Sequence, residues 1–400
     1  MRQRRSAPLW LMGLTNSVFG MYAGIILIAM PEILSARHVP ETTIATMTAV
    51  MVSPGFWAFL FSPMLDVKFS RRWYAVVTAL LGTACLLVGL LNLDRLVLVE
   101  WLLCAGCVFS NLFTGALGGW LSTITTAEEE TRLSFWVTMG NLGGTGAMAL
   151  FASVLLRYLP PVSAALILAG LSLAPVAVFP FMPAPGPDRR LAAESFGQFF
   201  QDVVGLLRRR EVLIAIVLFV APAGTFSLTN FLAGVGADFH ASADLVAFVG
   251  GTGVLGAGIA GCVLFRLLNG LLPLRSLYLA IAAIGSVFTL AILLLPRTPA
   301  VFTLAYIGEN VFQGLAITTS IAVTFETIGR HNPLAATTFS VVNAAYGVPI
   351  AYMLVVDGAG YARDGIAGSL AVDGLLGLVS SLLLAGLVVR FAPPREQSAA

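Results

Sequence analysis

Charge is what this sequence has least of. Aspartate, glutamate, lysine and arginine make up 10% of its 400 residues, where soluble domains carry about 25%. The 22 basic and 20 acidic residues leave a net charge of only +2, which excludes the basic footprint that a nucleic-acid partner requires. Cysteine and histidine are scarce too. The four cysteines, Cys85, Cys104, Cys107 and Cys262, all fall inside apolar runs. Cys104 and Cys107 have CxxC spacing but no histidine or further cysteine beside them. They read as small packing residues, and neither a metal centre nor a disulfide framework is predicted. The three histidines, His38, His240 and His331, lie in loops, so a Ser/His/Asp site has no support. The glycine-rich runs from Gly140 to Gly146 and from Gly250 to Gly258 lead into no Gly-Lys-Ser/Thr and follow no strand pattern, so they are not phosphate loops. Their GxxxG-like spacings suit close helix packing. The chain reads as neither an enzyme nor a cofactor or metal carrier.

What the sequence has instead is apolar length. Hydrophobic residues make up 58%, and mean hydropathy is +0.92. A membrane-spanning helix needs about 20 mostly apolar residues. On that measure twelve spans are predicted, over 9–34, 43–65, 73–92, 96–121, 133–156, 162–182, 211–233, 243–268, 276–295, 300–322, 337–357 and 366–390. Met1-Arg2-Gln3-Arg4-Arg5 resembles the start of a signal peptide, but the run from Leu9 to Pro31 is span-length without a clear cleavage site, so it is read as a retained first helix.

Twelve spans place both termini on one side, and the basic residues choose the side. Connections on the terminus side carry 17 of the lysines and arginines, among them Arg2, Arg4, Arg5, Lys68, Arg71, Arg72 and Arg208 to Arg210; the opposite side carries 5, Arg37, Arg95, Arg157, Arg297 and Arg363. By the positive-inside rule both termini are cytoplasmic, in a multi-pass protein of a bacterial inner membrane. The longest connection, 183–210, opens on Pro183-Ala184-Pro185-Gly186-Pro187 and continues through Phe196, Phe199, Phe200, Val203 and Val204 to Arg208-Arg209-Arg210. It reads as a linker with a basic amphipathic helix on the inner leaflet. The predicted organisation is therefore an all-α integral membrane fold, with an N-terminal six-helix bundle over 1–182, the linker over 183–210, and a C-terminal six-helix bundle over 211–400. Two six-span halves suit pseudo-symmetric bundles rocking about a midplane site.

Charges that break the apolar pattern are the candidate functional groups. The loop Ser62-Pro63-Met64-Leu65-Asp66-Val67-Lys68-Phe69-Ser70-Arg71-Arg72-Trp73 joins two long apolar runs. Positive-inside anchoring accounts for Lys68, Arg71 and Arg72, but not for an acid at the helix end. Asp66, Arg71 and Arg72 therefore read as an inner-gate latch, with Glu128, from the run Glu128-Glu129-Glu130, as a candidate partner. Glu309 lies mid-span, where an ionised acid costs at least about 2.5–3.5 kcal/mol. It reads as a proton carrier or substrate ligand, with Asn310 and Gln313 as helical neighbours; Gln313 shares its face. Asp373 is a second isolated acid at depth, read evenly between structure and function, whereas Asp357 reads as a helix-end residue. Asn16, Tyr22, Asn230, Asn343 and Tyr346, with Thr15, Pro222, Thr225, Asn111 and Asn141, are candidate cavity lining, each also suited to holding helices together.

Two blocks carry a family resemblance. Ser62-Pro63-Met64-Leu65-Asp66 followed by Ser70-Arg71-Arg72-Trp73 resembles the loop two–three signature of the major facilitator superfamily. Glu309-Asn310-Val311-Phe312-Gln313-Gly314, with Asn332-Pro333-Leu334-Ala335-Ala336-Thr337-Thr338, resembles the tenth and eleventh helices of its AmpG-like branch. Departures exist: Ile25-Ile26 stands where that branch has a Leu-Pro step, and Thr338 where it has glutamine. The length resembles the RhtX/FptX-type siderophore permeases more than the longer muropeptide permeases. The resemblance implies a secondary active transporter working by alternating access, active as a monomer. Proton-coupled import of an amphiphilic small-molecule substrate, a siderophore or muropeptide-like fragment, is expected. The alternative is a proton-coupled drug or metabolite efflux antiporter.

Overall fold

A computed structural model describes residues 7–184, 204–329 and 332–391. Among them there is no β-strand, only an isolated bridge between Asn269 and Leu272. Eleven helices are long and apolar enough to cross a membrane. They are Leu9–Ala36, Thr43–Asp66, Arg71–Leu91, Leu96–Ile124, Glu128–Tyr158, Pro161–Phe181, Asp244–Leu268, Leu274–Leu293, Pro299–Ile328, Ala335–Asp364 and Ile366–Val388. Backbone polar groups have no water partner in hydrocarbon, so the helix, which satisfies them internally, is the form these runs must take.

The segment expected as the seventh span is interrupted; counted as the seventh, it makes the helices from Asp244–Leu268 to Ile366–Val388 the eighth to the twelfth. A helix over Arg210–Val220 stops, the chain unwinds through residues 221–226, and short 3-10 turns follow at Ser227–Asn230 and Leu232–Phe239. The cause is local. Pro222 brings no N–H and blocks the preceding turn. Gly224 takes φ +72° and Phe226 φ +46°, the left-handed region that helices do not use. The break is held by Tyr278, whose hydroxyl donates to Ala223 O at 2.7 Å, and by Tyr352, which donates to Val220 O at 2.7 Å. Of the predicted linker, residues 185–203, including Phe196, Phe199, Phe200 and Val203, lie outside the described residues; Val204 to Leu207 are helical.

The chain forms two compact units, one of residues 1–216 with 324–347 and the other of residues 217–323 with 348–400. The first has an apolar core built on Ile25, Ile26, Met30, Met51, Leu86, Val99 and Leu168. Its first and fifth helices approach through glycine: a methyl group added at Gly20 would overlap Asn141 O, and one at Gly144 would meet Ser17 O. The predicted role of the Gly140 run in close packing is met there. The core of the second unit gathers Leu228, Leu232, Phe239, Phe302, Tyr306 and Leu370. Two π-helical turns interrupt the ladder, at Ile25–Ala29 and Val249–Gly253.

Candidate functional site

The charged loop forms a buried ion pair inside the first unit. The helix beginning at Ala335 has no side-chain acceptor at the preceding residue, Leu334, so the N–H groups of its first turn need an oxygen from elsewhere. Asp66 supplies it. Its Oδ1 accepts from Ala336 N at 3.1 Å, and its Oδ2 accepts from Thr337 N at 2.8 Å and Thr337 Oγ1 at 2.7 Å. A carboxylate at this end also meets the positive pole of the helix. Arg71 completes the arrangement, its Nη2 lying 2.8 Å from Asp66 Oδ1 and donating to Pro333 O at 3.0 Å, with Nε donating to Asp66 Oδ1 at 2.8 Å. The two side chains are 2% and 0% exposed. Asn332 stiffens the same turn, accepting from Leu334 N and donating to Thr338 Oγ1.

The other latch candidates are placed elsewhere. Arg72 lies over the Trp120 ring, 6.0 Å from its centroid. Glu128 is exposed and forms no ion pair with Arg71 or Arg72. In the same run, Glu129 accepts from Thr126 N at 2.9 Å and closes a capping box.

Above the latch, in the same unit, is a small cavity lined by Gly55, Phe59, Asn111, Thr114, Ser340 and Asn343 among others. Two candidates from the sequence, Asn111 and Asn343, meet here; Thr114 and Ser340 were not singled out. Asn16 reaches its edge, its Oδ1 accepting from Thr114 Oγ1 at 3.4 Å while its Nδ2 donates to Val137 O at 3.3 Å. Tyr22 is buried and donates to Leu103 O at 3.1 Å, a bond between helices. Tyr346 is also buried.

The second unit holds three buried acids. Glu309 is 1%, Asp373 7% and Asp357 0% exposed. Glu309 Oε1 accepts from Thr289 Oγ1 at 2.5 Å, and its Oε2 has no partner. Asp357 was read as a helix-end residue, and the structure corrects this: its helix continues through Gly358-Ala359-Gly360 to Asp364, which leaves Asp357 inside the bundle. Asp357 and Asp373 meet at Ser227, whose Oγ lies 2.5 Å from Asp357 Oδ2 and 3.0 Å from Asp373 Oδ1. Ser227 sits immediately after the break at 221–226 and carried no signal in the sequence beyond its closeness to Pro222. Gln313 ties the tenth helix to the same turn, donating to Thr229 Oγ1 at 2.8 Å. Asn310 donates to Tyr306 O in its own helix, and Asn230 is exposed. Both acids at Asp357 and Asp373 are within electrostatic reach of Glu309. Among the described residues no cation pairs with any of the three.

Among the described residues, eleven membrane-length apolar helices, one interrupted segment and acids buried at depth define a multi-pass membrane transporter fold. The sequence matches the Major Facilitator Superfamily over residues 12–353, and the chain belongs to that family, whose members are transporters. Comparison with curated proteins gave no match. Among solved structures, the chain is similar to the E. coli fucose:proton symporter FucP, with TM-score 0.74 and 13% identity over 95% of this chain and 98% of that one. It is similar to the proton:xylose symporter XylE bound to 6-bromo-6-deoxy-D-glucose, with TM-score 0.70 and 13% identity over 96% and 95%. A bacterial homologue of the iron transporter ferroportin, in its outward-facing state, gives TM-score 0.65 and 14% identity over 94% and 98%. At these identities the likeness is one of fold.

Proposed function

We propose that this protein is a proton-coupled importer of an amphiphilic solute, of the AmpG-like branch, in the bacterial inner membrane with both termini cytoplasmic. Glu309 carries the reading. An acid at this depth with no cation partner among the described residues and one unpartnered oxygen is costly to keep ionised, and membrane-embedded acids of this kind serve proton relays. Thr289 holds one of its oxygens in place while the other stays available. The Asp66–Arg71 latch is the inner gate of this cycle. Its bonds to Pro333, Ala336 and Thr337 close one end of the bundle when made and free the eleventh helix when broken. Asn111 and Asn343, with Asn16 and Tyr22 behind them, belong to the solute pathway, and the two six-helix halves move about it.

The test is uptake into proteoliposomes under an imposed pH gradient, with a labelled ferric siderophore and a labelled disaccharide-peptide as probes. Accumulation inside when the outside is acidic supports import, and loss of accumulation in Glu309→Gln assigns the coupling. Gradient-driven release of preloaded solute would reverse the direction to that of an efflux antiporter. Flux indifferent to the gradient in both proteins would remove the proton-coupled reading.

A further inference from the structure

Ser227 has one hydroxyl hydrogen and two carboxyl neighbours. Its Oγ is 2.5 Å from Asp357 Oδ2 and 3.0 Å from Asp373 Oδ1, and a hydroxyl can donate to only one of them while accepting from the other. An ionised carboxylate donates nothing. The second contact therefore needs a hydrogen on a carboxyl. Among the described residues no cation offsets the pair either. The charged or titratable groups facing it are acids alone: Asp357 on the eleventh helix, Asp373 on the twelfth and Glu309 on the tenth. The ninth helix offers Thr289 and Ser286, and the interrupted segment offers Ser227. A further observation lies outside the bridge itself. Asp357 Oδ1 is buried with no partner among the described residues, in a residue that is 0% exposed, so the site keeps an acceptor left unfilled.

We infer that Asp357, Ser227 and Asp373 form a proton-binding site distinct from Glu309, holding one hydrogen shared between two carboxyl groups through the serine hydroxyl. In the occupied state Ser227 donates to one carboxylate and accepts from the other, protonated carboxyl group. On release the hydrogen leaves as H+, and two carboxylates face each other across a single hydroxyl with no cation between them. Like charges at this separation in a water-poor interior repel strongly. The segment that gives way is the interrupted one, because Ser227 follows six unwound residues with few backbone bonds of their own. Proton release at this site therefore loosens the hold of the eleventh and twelfth helices on the break, which gives the unwound segment a role in the cycle. Discontinuous helices are where transporters place their coupling ions.

The inference adds a site to the one proposed at Glu309 and does not depend on that proposal or on a solute. It is tested by infrared titration of the whole purified protein, following the protonated-carboxyl C=O stretch near neutral pH. Wild type and Glu309→Gln should both retain a buried protonated-carboxyl component. Introduced into the Glu309→Gln background, where the Glu309 carboxyl no longer contributes, Asp357→Asn and Asp373→Asn should each lose it, because an amide can donate to the remaining carboxylate and no shared hydrogen is then needed. Ser227→Ala keeps both acids and should shift the frequency of the band by removing its bonding partner; it serves as the reading if either asparagine variant fails to fold. Retention of the band when either aspartate is changed to asparagine in the Glu309→Gln background, or its absence from Glu309→Gln alone, would overturn the site. So would loss of the band on adding sodium at constant pH, which would make the ligand a metal cation.

Discussion

Asp66 caps a helix that begins 269 residues later: its carboxylate accepts the backbone N–H and the hydroxyl of Thr337 at 2.8 and 2.7 Å. The helix start lacks a side-chain cap of its own, so the acid from the loop between the second and third helices replaces it. Arg71 neutralises the acid from the other side. A buried pair of this kind contributes modestly when intact, yet removing one partner leaves an uncompensated charge and costs about 3–5 kcal/mol.

Asp66→Asn should lower stability by about that amount, because Arg71 is left buried without its acid. Arg71→Met in the same background should recover part of the loss. Thermal unfolding in detergent of both single variants and the double variant gives the coupling. Strict additivity would show that the two side chains do not act together.

Thr337→Val removes the hydroxyl donor to Asp66 and leaves both backbone N–H groups and Arg71 in place. The expected cost is about 1 kcal/mol, with the Asp66–Arg71 pair still formed. A cysteine placed at an exposed position of the loop, such as Lys68, should become more reactive towards an impermeant thiol reagent in Asp66→Asn but little more so in Thr337→Val.

Gly20→Ala should be more harmful than its single methyl suggests. Added there, a methyl group has Asn141 O in its place, so the first and fifth helices must separate, at a cost of about 1–3 kcal/mol. Gly143→Ala, where nothing lies within contact range, should be nearly neutral. Comparing the two by thermal unfolding separates close packing from helix propensity.

Asn111→Ala and Asn343→Ala should leave unfolding temperatures near wild type, since Asn111 bonds only within its own helix and both line the cavity. Transport of the siderophore or disaccharide-peptide probe should fall. Asn16→Ala should behave oppositely, losing stability first, because its amide joins the first helix to the fourth and fifth.

The latch was half legible in the sequence. One acid among basic residues at a helix end cannot be explained by anchoring, so Asp66 and Arg71 were marked. Their partner at Thr337 was not, because a bond across 271 positions leaves no local pattern. Apolar length predicted the helices well, but it read straight through Ala221-Pro222-Ala223-Gly224, where a breaker pair sits inside an apolar run and the helix stops. The same weakness hid Asp357. Its run was ended at the acid, whereas small residues carry the helix on to Asp364 and bury it. Ser227 had no signature at all: its importance comes from two acids on distant helices. Tyr22 was marked as cavity lining; that its hydroxyl also bonds the backbone of the fourth helix is a detail that sequence patterns do not encode.

Glu309 as the coupling group is the central claim, and solute-driven proton movement tests it most directly. Proteoliposomes without a gradient are given the transported probe while external pH is recorded. The account predicts that the outside turns alkaline with wild type, and that Glu309→Gln gives no pH change while still exchanging labelled for unlabelled solute. Equal alkalinisation by wild type and Glu309→Gln would contradict it.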